Sequence, residues 1–172
     1  NNTATLNDQL LPTITSVSLA VDNSTIAVTF SEAVYNTNGG SGALETSDFS
    51  FSIGPSSGLG TVTLNSATPT SISPSGNTYT LGIGLSGTPD GSEVLKVDIF
   101  AGIYDAVGNE ASTTQSNNTA TLNDQLVPTI SSVALAGDNT TIAVTFSEAV
   151  YNTNGGSGAL EMTDFALSIA GG

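Results

Sequence analysis

Hydrophobic and polar residues alternate with a period of two along most of this 172-residue chain. Such alternation turns one face of an extended strand to a core and the other to water. STIAVTF (24–30) sends Ile26, Val28 and Phe30 to one side, and FSFSI (49–53) does the same with Phe49, Phe51 and Ile53. NTYTLGIGL (77–85) offers Tyr79, Leu81, Ile83 and Leu85. EVLKVDIF (93–100) offers Leu95, Val97 and Ile99, with Lys96 and Asp98 facing out. GTVTLNS (60–66) adds Val62 and Leu64, and NNTATLND (117–124) adds Ala120 and Leu122. In PTITSVSLA (12–20), Ile14 is out of phase with Val17 and Leu19, which predicts a β-bulge. Turn signals separate these runs: DNS (22–24), NGGSG (38–42), GPSSG (54–58), SPSGN (73–77), TPDGS (88–92) and DAVGN (105–109). No stretch carries a convincing helical stripe.

The chain is also self-similar. With an offset of 116 residues, 1–56 aligns with 117–172 and 44 of the 56 pairs are identical. FSEAVYNTNGGSGALE recurs letter for letter at 30–45 and 146–161. A unit of 116 residues has the size of a single domain, which predicts beads in tandem and not a solenoid of short repeats. Seven short strands per unit predict an all-β fold, an Ig-like antiparallel β-sandwich repeated in tandem. Residues 1–8 are expected to be the last strand of a preceding repeat, 9–124 a complete repeat and 125–172 the first part of the next. The chain thus reads as a window on a longer array.

Strand parity places the loops. If successive strands run antiparallel, an odd number leaves the chain ends at opposite poles, and tandem copies stack end to end. The second strand then finishes at the entry pole, bringing Glu32 there, and the sixth brings Asp105 and Asn109. Asp8 arrives with the linker. Asp22 and Asp90 fall at the opposite pole, facing the next unit's Asp124 and Glu148. The acidic residues therefore gather at the junctions.

Composition narrows the chemistry. Fifteen acidic residues against one basic residue give a net charge of −14, which argues against nucleic acid and anionic membranes. There is no His, Cys or Trp. Nucleophilic catalysis lacks a base, carboxylate pairs lack an aromatic platform, and no enzyme activity is expected. No apolar run approaches a membrane span. The oxygen-rich entry pole suits Ca²⁺, a hard cation that takes six to eight oxygen ligands. Asp8, Glu32, Asp105 and Asn109 are its candidate ligands, with Asp124 and Glu148 at the following junction. Crowded carboxylates repel one another unless a cation sits among them. DAVGN also reads simply as a capped turn with Gly108 in the left-handed conformation, and NGGSG as a flexible connector.

IAVTFSEAV (26–34), NTYTLGI (77–83) and IYDAVGNEA (103–111) resemble, in that order, bacterial Ig-like repeats of very large surface proteins. The likeness covers about Pro12 to Asp124; Ala33 stands where proline is common in the first motif. The linkers LNDQLLPTI and LNDQLVPTI are similar to those of giant adhesins, including gliding adhesins of Bacteroidota. The resemblance implies a stalk or adhesive filament on the bacterial cell surface, outside the cell, serving cell adhesion or gliding motility. Its partners would be neighbouring repeats of the same chain, surface glycans or other cells, with lateral or end-to-end self-association. Two other functions fit the sequence: a module binding a glycan or protein through the entry-pole loops, and a strand-exchanged fibre subunit.

Overall fold

The computed structural model describes residues 6–54, 58 and 61–169. The chain divides into two compact units, 1–126 and 127–172. Among the described residues the regular structure is strand, apart from two single 3-10 turns at Thr46–Asp48 and Met162–Asp164. No helix among them is long and apolar enough to cross a membrane.

The first unit contains β1 (Ile14–Leu19), β2 (Thr25–Phe30), β3 (Phe49–Ile53), β4 (Thr63–Leu64), β5 (Ile72–Ser75), β6 (Thr78–Gly82), β7 (Leu85–Ser86), β8 (Val94–Ile99) and β9 (Thr119–Thr121). All pairings are antiparallel. One sheet has the order β1-β2-β6-β5, a second β3-β8-β9, and β4 pairs with β7. Alternation builds a shared core. Ile26 and Val28 lie opposite Leu81 and Tyr79, while Phe49 and Phe51 lie opposite Ile99 and Val97. These eight residues are buried in one cluster fed by both sheets, a sandwich-like arrangement. Phe30 meets Tyr79 edge-on at 5.8 Å and Phe49 at 6.4 Å between ring centroids. The expected bulge is present: β1 slips register against β2 between Ile14 and Ser16.

Three expectations need correction. The described residues of the first unit form nine strands and not seven. The stretch 73–77 is not simply a turn, because Ile72–Ser75 forms β5 at the edge of its sheet. An edge tolerates Pro74, whose missing N–H removes no interior ladder bond. The run 77–85 is not one strand either. It breaks after Gly82, where a side chain would run into the hydroxyls of Thr70 and Ser71. The chain then re-forms as β7 on another partner. The predicted GPSSG turn lies largely outside the described residues.

The chain enters and leaves the first unit at opposite ends. At the entry end, Asn109 Nδ2 donates to the Asp8 carbonyl at 3.3 Å, and Tyr35 and Tyr104 exchange backbone hydrogen bonds at 2.8 Å. At the exit end, Asn23 Nδ2 donates to the Asn123 carbonyl and Asn123 N–H returns to Asn23 Oδ1, both at 2.8 Å. Gln125 N–H there donates to the Pro89 carbonyl at 2.9 Å. β2 runs from one end to the other.

The second unit contains β10 (Ile130–Leu135) and β11 (Ile142–Phe146). They pair in the same register as β1 and β2, with the same slip between Ile130 and Ser132. Of its inward-type residues, Val144 and Phe146 are half-buried and others are exposed. Ile130 is 58% exposed where Ile14 is 1% exposed, and Leu167 is 77% exposed where Phe51 is 3% exposed.

Candidate metal centre at the entry end

Three carboxylates converge at the entry end of the first unit. Asp8, Glu32 and Asp105 each present an oxygen, and these oxygens lie within 4.8 Å of one another. Two oxygens that share a Ca²⁺ at about 2.4 Å can stand no farther apart than about 4.8 Å, so the spacing fits one ion. The donor set is all oxygen, as a hard cation requires.

Each residue is positioned by its local chain. Asp8 is exposed in the arriving segment, where its Oδ1 caps the Leu10 N–H at 2.9 Å. Glu32 is half-buried just past β2, and its neighbour Ser31 donates its N–H to the Thr13 carbonyl at 2.8 Å. Asp105 is 1% exposed. Its Oδ1 accepts from the N–H groups of Val107 (2.9 Å), Gly108 (2.7 Å) and Asn109 (2.8 Å), and its Oδ2 accepts from Asn109 Nδ2 (2.7 Å). Asp105 thus closes the DAVGN turn on its own, with Gly108 at a φ of 100°. That role needs no ion.

The electrostatics of the three differ. Burial, and then the charges of Asp105 and Asp8, push the Glu32 carboxyl above the usual glutamate range. At Asp105, burial pulls upward, but the hydrogen bonds from Asn109, Gly108 and Val107 outweigh it and hold the carboxyl below its ordinary value. Glu32 is therefore the strained member of the cluster and Asp105 the settled one.

Asn109, the fourth expected ligand, is engaged through its amide nitrogen. Its amide nitrogen faces the cluster, donating to Asp105 Oδ2 and to the Asp8 carbonyl, so it bridges turn and linker. Asp124 repeats the local turn of Asp8, capping the Leu126 N–H at 2.8 Å, but at the exit end of the first unit. Glu148 belongs to the second unit. The NGGSG loop is also not a free connector. Thr37 and Ser41 form a bridge, and Gly39, Gly40 and Gly42 all take positive φ. A side chain at Gly40 would press on the Ala106 backbone at 3.1–3.2 Å, so the loop packs directly on the Asp105 turn.

One buried carboxylate escaped the sequence-based search. Glu93 is 0% exposed at the exit end, just before β8. The signal was available, since Glu93 shares the odd-numbered inward face of Leu95, Val97 and Ile99.

Comparison with protein-family models, with curated proteins and with solved structures finds no match.

Proposed function

We propose that this chain is a structural, non-enzymatic Ig-like repeat from the stalk or filament of a large extracellular bacterial adhesin, its junctions stiffened by calcium. The observation that carries this is the passage of the chain through the first unit from one end to the other, with an acidic cluster where it enters. Units connected in this way transmit length and tension along an array. Asp8, Glu32 and Asp105 would hold the ion, and Asn109 would fix Asp105 to the linker. Because Asp8 lies in the arriving segment, an ion shared with Glu32 would tie that segment to the unit. Ligand binding to the docked state alone stabilises it by mass action.

Two measurements test the proposal. Antibody against the first unit should label intact cells, and labelling only after permeabilisation would refute surface exposure. Small-angle scattering of three tandem copies of residues 9–124 should show a maximum dimension that grows in proportion to copy number and stiffens in calcium. A collapsed particle that ignores calcium would refute the stalk.

A further inference from the structure

We propose that Glu93, together with Asp90, binds a second divalent cation, Ca²⁺, at the exit end of the first unit. Glu93 is fully buried, and its Oε1 has no hydrogen-bond partner among the described residues. Its Oε2 accepts one long bond, from the Asp90 N–H at 3.2 Å. An ionised carboxylate removed from water needs a countercharge or several donors. The protein supplies no countercharge. The chain has one Lys or Arg and no His, and that one residue, Lys96, is paired with Asp98 at 2.7 Å. A cation from solution meets the need. Without Cys or His, the site offers only oxygen, which selects a hard ion.

The surroundings are those of a compact oxygen-lined turn. Asp90 Oδ1 accepts from the N–H (3.0 Å) and the hydroxyl (2.5 Å) of Ser92, so the PDGSE turn is preset. A side chain at Gly58 would overlap the Asp90 carboxylate, so the chain at Gly58 lies close against it. On the other side, Gly91 has a φ of 78° and leaves room for Asp124, whose Cβ lies 3.3 Å from where a Gly91 Cβ would sit. The leaving segment is therefore laid against this turn. An ion held by Glu93 and Asp90 would harden the exit end independently of the entry cluster.

Calorimetric titration of the 172-residue chain with CaCl₂ alone, after chelator treatment, tests this. The wild type is compared with Glu93→Gln, Asp90→Asn and Glu32→Gln. Glu93→Gln should lose one binding event, or weaken it at least tenfold, while Glu32→Gln keeps that event. Asp90→Asn, which retains the Ser92 cap, should weaken the same event; it carries the test alone if Glu93→Gln does not fold. Calcium binding unchanged in Glu93→Gln or Asp90→Asn would overturn the proposal, as would a Glu32→Gln chain that binds no calcium. If only the entry-end assignment is wrong, Glu32→Gln binds like wild type and the Glu93 variant still loses its event.

Discussion

The two ends of the first unit each bury one carboxylate, and they treat it in opposite ways. Asp105 is gripped by three backbone N–H groups and one side-chain amide, all at 2.9 Å or less. Glu93, equally buried, has among the described residues a single 3.2 Å bond and one oxygen without a partner. At one end the carboxylate organises a turn and the neighbouring Glu32 carries the electrostatic strain. At the other end the buried carboxylate leaves one oxygen without a hydrogen-bond partner among the described residues. Burial by itself therefore does not tell a structural acid from a ligand. The number of donors aimed at it does.

Substitutions break or sharpen this contrast. The largest effect is expected for Asp105→Ala, which takes the acceptor from three backbone N–H groups and so opens the turn. Its melting temperature by circular dichroism should fall steeply with or without calcium. A fall confined to calcium-loaded protein would mean that Asp105 acts mainly as a ligand. Glu93→Gln comes next, with a sign that depends on the ion. In chelator it removes a buried carboxylate oxygen that has no partner among the described residues and should stabilise, whereas in calcium it should destabilise. Denaturant titration in both buffers reads the two signs, and a loss of stability in both would make Glu93 an ordinary packing residue. Glu32→Gln should show the same reversal at a smaller scale, because Glu32 is only half-buried.

The smallest expected effect is on the pH profile in chelator. The Glu32 carboxyl is raised, so its folded form binds a proton more tightly than its unfolded form. Stability should therefore decline as pH rises from about 4.3 through its folded value. The Asp105 carboxyl is lowered, so its contribution is present above about pH 3.9 and lost on further acidification. Glu32→Gln should flatten the upper slope and leave the acid limb in place. An unchanged upper slope would show that Glu32 is not strained by its neighbours.

Period-two alternation was enough to read β2, β3 and β8 and their inward faces, and the misphased Ile14 marked the bulge. Counting seven alternating strands points Asp8, Glu32 and Asp105 to one end, and the structure brings them together there, although its nine strands do not strictly alternate: β2 and β5 run the same way, both antiparallel to β6. What escaped depended on information that residue type does not carry. Pro74 looks like a turn until its strand is known to lie at an edge. The glycines of NGGSG look like flexible linker residues. Their positive φ and the seat of Gly40 on Ala106 come from packing with a turn some 65 residues away. Asn109 could have offered oxygen or nitrogen, and the adjacent carboxylate selects the nitrogen. Glu93 lies outside the loops, where acidic ligands are ordinarily expected. Its signal was a continuation of the Leu95, Val97, Ile99 face one step beyond the strand.

On the proposal above, the entry-end cluster of Asp8, Glu32 and Asp105 holds calcium. The most direct measurement is the melting temperature of the 172-residue chain and of its Glu32→Gln variant, each in calcium and in chelator. The wild type should melt higher in calcium. The variant should melt above the wild type in chelator and gain less from calcium than the wild type does. A wild type that melts at the same temperature in both buffers would contradict the account.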